Sequence, residues 1–218
     1  MNRPFHVVEC EQGSDEWLQA RCGLLTGSRA PDMLKTLKGK GEAASRRDLR
    51  LTIVCERLTS RPTESGYVSA DMKRGREMEA AAVRAYEARM GVFVKRVGFL
   101  RHPTLLAGCS PDGYVGDYKG IVECKAPRSA THLGYLRSNR RIPDEYFGQC
   151  LHNCWISGAE FCDFFSFDPR FPLELQTFHV RYAPSEFERM TYQRTVETFL
   201  EEVEKELQDV QALVTAAA

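Results

Sequence analysis

Three acidic side chains and one lysine stand out by their surroundings. In Gly120-Ile121-Val122-Glu123-Cys124-Lys125, an extended chain sends alternate side chains to opposite faces. Glu123 and Lys125 then project together, and Val122 and Cys124 point the other way. Such a pair can be a structural ion pair. It can also be an acid that binds a metal beside a lysine that handles a proton or a phosphate. Just upstream, Ser110-Pro111-Asp112-Gly113 reads as a tight turn that sets Asp112 at a strand end. An ordinary turn aspartate would sit in the same place. Further back, Glu79, Val83, Tyr86 and Met90 follow helical spacings and share one face, so Glu79 interrupts an apolar stripe. A carboxylate there needs a cation, a metal or a proton, and an arginine at the edge of the stripe would also serve. Glu77 shares its face with Ala81, Arg84 and Ala88, which reads as solvated.

Taken in order, an acid on a helix, a Pro-Asp turn and a Glu-x-Lys strand resemble the signature of the PD-(D/E)xK nuclease superfamily. The hairpin between Asp112 and Glu123 would lay two strand segments side by side, so that the two carboxylates share a cation. Hard oxygen ligands of this kind suit Mg²⁺, which keeps several waters and binds substrate phosphate.

The elements that must position these residues can be read from periodicity and punctuation. Ser14 caps a short helix, and Thr26 or Ser28 opens another over about 28–37. Residues 44–60 form a helix with Leu51, Val54, Cys55 and Leu58 on one side. Residues 71–90 form a long Ala-rich helix ended by Gly91. Strands are expected at 92–101, 105–110, 113–116 and 119–125. A helix follows at 143–157, then strands at 160–167 and 174–182, then a final helix over about 184–212. The expected class is α/β (α+β), with a restriction-endonuclease-like core whose central mixed sheet is flanked by helices. The chain reads as a single domain over 1–218: an N-terminal helical part at about 14–60, a nuclease core at about 71–182 and the C-terminal helix.

Further segments resemble a narrower group, the lambda-exonuclease (YqaJ-type viral recombinase) family. Trp17, Arg21, Gly23, Thr26 and Ser28 are similar to its W-x-x-x-R-x-G-x-x-T-x-S opening, and Gly75 with Glu79 to its G-x-x-x-E. Cys109-Ser110-Pro111-Asp112-Gly113 and Glu123-Cys124-Lys125 match its nuclease core. Tyr146-Phe147-Gly148-Gln149, Trp155 and Phe167-Asp168-Pro169-Arg170 follow in order. The resemblance covers roughly residues 10–172.

It implies a metal-dependent 5′-to-3′ exonuclease. Such an enzyme digests one strand of linear double-stranded DNA to mononucleotides and leaves a 3′ single strand for recombination by strand annealing. Asp112, Glu123 and the Cys124 backbone carbonyl would bind Mg²⁺, with Glu79 helping through a second ion or its water. Mn²⁺ would substitute. Lys125 would orient or deprotonate the attacking water or stabilise charge on the phosphate, and Gln149 would position Lys125 or the substrate. Arg21, Ser28 and Ser110 would hold the 5′-terminal phosphate. Met72 falls where the family places an apolar wedge at the DNA end. The implied partners are double-stranded DNA ends and a single-strand annealing protein. The implied assembly is a homotrimeric ring, as in phage systems.

Composition is consistent with that class. The chain has 218 residues, 43% of them apolar, enough for a core. Lys plus Arg is 30 and Asp plus Glu is 30, which excludes a binder that works by bulk positive charge. Local patches remain: residues 35–50 and 128–141 are basic and 186–209 acidic. The two basic runs could be solvated faces or a phosphate-tracking surface. No membrane span and no signal peptide are expected, which points to the cytoplasm of a bacterial host cell. The eight cysteines form no C-x-x-C pair. Cys150, Cys154 and Cys162 with His152 could hold a zinc ion or part of an iron–sulfur cluster, or could be buried thiols.

Other readings share some of these residues. A structure-selective or restriction-like endonuclease would use Asp112, Glu123 and Lys125 without the Arg21 and Ser28 pocket. A non-catalytic DNA-end-binding subunit would keep only the fold. A cysteine hydrolase would need Cys109 or Cys150 beside His102, His132 or His152.

Overall fold

The computed structural model describes residues 3–37, 41–63 and 70–216, and the side chains of 70–73, 76 and 214–216 lie outside that description. Two four-stranded sheets stand where the sequence predicts one. The first runs in the order β1 (His6–Val8), β3 (Phe99–Arg101), β4 (Ala107–Cys109) and β2 (Leu25–Thr26). The second runs β5 (Gly113–Val115), β6 (Gly120–Lys125), β7 (Phe161–Phe167) and β8 (Thr177–Tyr182). Each is mixed: β2 is parallel to β4 and β6 to β7, and the other pairs are antiparallel. The expected strand at 92–101 pairs in full only at its end. Lys95 makes a single bridge to Tyr114, and Gly98 lies so close to the backbone of Val8 and Cys10 that a Cβ would stand 2.5 Å from the Val8 carbonyl oxygen.

Helix α1 (Asp15–Arg21) starts at Ser14, whose hydroxyl accepts from the Trp17 amide at 3.2 Å. The helix expected at 28–37 is shorter, a 3₁₀ turn at Gly27–Arg29 followed by α2 (Ala30–Met33). Helices α3 (Ala44–Thr59) and α4 (Ala70–Met90) follow, the latter ended by Gly91 at φ +65°. A parallel β6–β7 pair needs a long crossover. It contains α6 (Asp144–Ser157) and also α5 (Ser129–Arg137), which the sequence reading shows only as a basic run. Helix α7 (Glu186–Ala216) closes the chain.

The two faces of β6 have different partners. Val122 and Cys124 pack with Phe165 of β7 against Ala82, Val83 and Tyr86 of α4. Ile121 and Phe164 pack on the other side against Cys150 and Cys154 of α6. Glu123 shares the Ile121 face, so α6 covers it.

One expectation is corrected and two open alternatives are narrowed. On α3 the buried residues are Leu49, Ile53, Val54 and Glu56, while Leu51, Cys55 and Leu58 are exposed. A charged residue occupies the buried face because Arg29 clamps it: two guanidinium nitrogens donate to the two Glu56 oxygens at 2.8 and 2.5 Å. The basic run at 35–50 is not an open phosphate track at Arg46 and Arg50. Arg46 donates to Glu202 and Glu42, and Arg50 to Glu42 and Glu206, so the acidic face of α7 neutralises this part of α3. Lys38 and Lys40 lie outside the described residues. Finally, His152 does not face the thiols. It bonds the Tyr192 hydroxyl at 2.7 Å and the Gly108 carbonyl at 3.0 Å, while Cys150, Cys154 and Cys162 are buried together in the apolar core.

Candidate active site

A cleft of about 170 Å³ lies between α1, the Thr26–Ser28 turn, the β4–β5 turn, β6 and α6. It is lined by Trp17, Arg21, Thr26, Gly27, Ser28 and Ser110 together with Asp112, Glu123, Lys125, Gln149 and Asn153. The alternation of β6 places Glu123 and Lys125 on one face, and the ammonium donates to a Glu123 carboxylate oxygen. Gln149 Nε2 donates to the same oxygen, Oε1, at 2.5 Å. Gln149 therefore shares a Glu123 oxygen with Lys125, where the resemblance implies that it positions Lys125 or the substrate. Asp112 sits across the hairpin, and its Oδ2 accepts from the Cys124 amide at 2.6 Å.

Electrostatics follow from this crowding. Burial pushes the Glu123 carboxyl upward, and the nearby Asp112 and Glu79 charges add to the shift against the pull of Lys125. Burial also raises Asp112, opposed by Lys125 and the Cys124 amide. Burial alone would lower Lys125, but the Glu123 and Asp112 carboxylates outweigh it and the ammonium is held well above its ordinary range. Two acids in a small cleft thus retain a strong demand for positive charge, which a divalent cation meets.

Glu79 stands apart from the cleft lining. It forms an ion pair with Arg96 at 3.2 Å, the arginine partner that its place at the stripe's edge allowed. Its charge still acts on Glu123. Among the described residues, no three His, Cys, Asp or Glu side chains converge into a cage for a metal ion. That does not conflict with Mg²⁺, which is commonly held by one or two carboxylates plus water and substrate phosphate. Asp112, Glu123 and the backbone carbonyl of Cys124, next to Glu123, are hard oxygen donors of that kind.

The part of the lining around Arg21 is suited to an anion. Arg21 is 8% exposed, and its guanidinium donates to the Ser28 hydroxyl at 3.0 Å and the Thr26 hydroxyl at 3.3 Å. Trp17 covers it, with 3.8 Å between the guanidinium carbon and the ring centroid, and donates its indole N–H to the Ser110 hydroxyl at 2.7 Å. A planar, buried arginine beside hydroxyls is matched to phosphate oxygens. Trp17 belongs to the opening motif, and its i, i+4 spacing from Arg21 on α1 is the sequence signal for their contact. Asn153 gave no sequence signal beyond lying one helical turn after Gln149. The Met72 side chain lies outside the described residues.

The Asp168-Pro169-Arg170 segment is structural. Asp168 is fully buried at the end of β7 and accepts from Ser129, the Arg170 amide and the Arg170 guanidinium, which tie the start of α5 to the sheet. The histidines proposed for thiol chemistry are engaged elsewhere. His132 bonds Ser166 and the Leu175 carbonyl, His152 is held as above, and His102 stacks on Trp155 at 5.0 Å. The Cys109 thiol is fully buried, and burial pushes it upward, away from the reactive thiolate. No helix among the described residues is long and apolar enough to cross a membrane.

Comparison with known proteins agrees with the fold. The model of the YqaJ-like viral recombinase domain matches residues 16–160. The crystal structure of an alkaline exonuclease, LHK-Exo, from Laribacter hongkongensis is 33% identical with a TM-score of 0.84, over 94% of this chain and 100% of that one. The same enzyme in complex with dAMP matches to the same degree. A phage-related exonuclease from Haemophilus somnus 129PT shares the fold at 12% identity and a TM-score of 0.68, over 86% of this chain and 96% of that one. No curated relative matches. With the family pattern spanning most of its length and a one-third identical relative covering nearly all of it, the chain belongs to the YqaJ-like viral recombinase family.

Proposed function

We propose that this protein is a divalent-metal-dependent DNA exonuclease that digests one strand of linear duplex DNA from its 5′ end. Mononucleotides are released and a 3′ single strand is left for an annealing protein. One observation carries this reading: the Arg21–Ser28–Ser110 group and the Asp112–Glu123–Lys125 group line the same small cleft. An enzyme that cuts one nucleotide from a phosphorylated end needs a terminal-phosphate seat beside the hydrolytic groups. An endonuclease has no use for it. The alkaline exonuclease name of the similar LHK-Exo supports the same class.

Asp112, Glu123 and the Cys124 carbonyl would hold Mg²⁺ or Mn²⁺, with Glu79 serving a second ion or its water. A bound ion of this kind supplies a water of lowered pKa and neutralises charge on the attacked phosphate. Arg21, Ser28 and Ser110 bind the terminal phosphate and so fix the distance to the scissile one. Lys125, on the same strand face as Glu123, would orient or deprotonate the attacking water or contribute positive charge to the phosphate. Gln149 fixes Glu123. A homotrimer around the duplex and a cytoplasmic setting belong to the same reading.

The test uses linear and closed circular duplexes, with and without 5′-phosphate, in Mg²⁺ or chelator, with strand-specific end labels. Loss of the 5′ label as mononucleotide from phosphorylated linear DNA, only with Mg²⁺, is expected. Cutting of closed circles would favour the endonuclease reading. Binding to ends without cleavage would favour the non-catalytic one.

A further inference from the structure

Both oxygens of Glu123 are gripped by one face of α6. Gln149 holds Oε1, and Asn153, four residues on, donates from Nδ2 to Oε2 at 3.1 Å. Asn153 is fully buried, and its Oδ1 has no hydrogen-bond partner. The reason is steric. Oδ1 lies against Gly27, where a Cβ would stand only 2.2 Å from it. Gly27 does not have a positive φ, so its backbone conformation does not demand glycine; the space does. A flipped amide would put its oxygen against the carboxylate, so only the observed orientation donates to Glu123. The orphan oxygen is retained because the donor on the same amide is needed.

We infer that Asn153 is a positioning residue that orients the Glu123 carboxylate toward the divalent ion, and that Gly27 lacks a side chain so that this amide can reach it. The inference rests on the reading of Asp112 and Glu123 as ion ligands. Gly27 also lies between Thr26 and Ser28, so the phosphate seat and the ligand Glu123 are connected through one amide group. Partners that orient a ligand carboxylate are typically worth about 10–100-fold in metal affinity or activity.

Mn²⁺ binding to the DNA-free protein, read by calorimetry and by the free-ion electron paramagnetic signal, gives a test independent of turnover. Asn153→Ala and Asn153→Leu, the second filling the space without a donor, should each weaken Mn²⁺ binding about tenfold or more. Circular dichroism should show both folded. Gly27→Ala should weaken binding similarly by displacing the amide. In the Asn153→Ala background Gly27→Ala should have no further effect, because the obstructing oxygen is gone. Wild-type affinity in both Asn153 variants would overturn the inference, as would a Gly27→Ala penalty undiminished in the double variant. A wild-type protein that binds no Mn²⁺ would overturn the ligand reading itself and the inference with it.

Discussion

The Trp17 ring lies over the Arg21 guanidinium at 3.8 Å while its indole N–H holds the Ser110 hydroxyl. One aromatic side chain from α1 thereby fixes two of the three groups assigned to the terminal phosphate. A charge-assisted hydrogen bond is worth about 1.5–3 kcal/mol, so Arg21→Ala should cut the kcat/KM for 5′-phosphorylated ends by tenfold or more. Ends lacking the phosphate should be digested at an unchanged rate. Trp17→Leu should act in the same direction, because it releases both Arg21 and Ser110. Parallel digestion of phosphorylated and dephosphorylated duplexes measures the ratio, and equal losses on both would remove Arg21 from this role.

Asp112→Ala should bind duplex ends and fail to cut them. The carboxylate accepts from the Cys124 amide and supplies one of the two acid groups that line the cleft. Its removal eliminates a proposed ion ligand without touching Arg21. A mobility-shift assay and a nuclease assay on one preparation separate the two effects. Residual Mg²⁺-dependent turnover near the wild-type rate would show that Asp112 is not a ligand.

Acid stability should fall in two stages. His152 is buried as the neutral imidazole, and burial depresses its pKa to about 4, against the weaker support of the Gly108 carbonyl. The unfolded chain binds that proton near pH 6.5, so stability is present above pH 6.5 and is lost as the pH falls toward about 4. Burial also opposes the Glu56 charge, yet Arg29, the Gly23 amide and Thr63 outweigh it and draw the carboxyl down to about 2. Its stabilisation is present above about pH 4.5 and is lost as the pH drops through about 2. Glu123, pushed up by burial, contributes with the opposite sign in the upper window, so the slopes are read as differences between the melts of wild type and variant across this range. His152→Gln should remove the imidazole's share of the upper slope, and Glu56→Gln the share of Glu56 in a lower slope that Asp163 and Asp168 also carry. Glu56→Gln should also cost about 3–5 kcal/mol at neutral pH, because Arg29 loses its buried partner.

Arg46→Ala and Arg50→Ala should leave DNA affinity unchanged and lower stability modestly. Their guanidinium groups are satisfied by Glu42, Glu202 and Glu206. Partly exposed networks of this kind contribute on the order of 1 kcal/mol. Salt-dependent binding isotherms together with melting curves provide the check. A reduced salt slope in either variant would return this face to the DNA.

Local sequence determined a good deal of this protein. Strand alternation alone separates Glu123 and Lys125 from Val122 and Cys124, because a pleated chain has a period of two wherever it lies. Ser14, Gly91 and the apolar spacing of α4 mark element ends through chemistry confined to a few residues. The ordered Trp17-to-Gln149 motifs point to the family for the same reason: each is read within one stretch of chain. Decisions that require two distant stretches to meet belonged to the tertiary structure. No pattern in α3 announces that Glu56 is buried, since its partner Arg29 lies 27 residues away. Nor does the basic run reveal that α7, 156 residues on, neutralises Arg46. Glu79 turned to Arg96, Gln149 to Glu123, and Asn153 into the space left by Gly27, because buried charges and amides settle on whichever partner packing brings within hydrogen-bond reach.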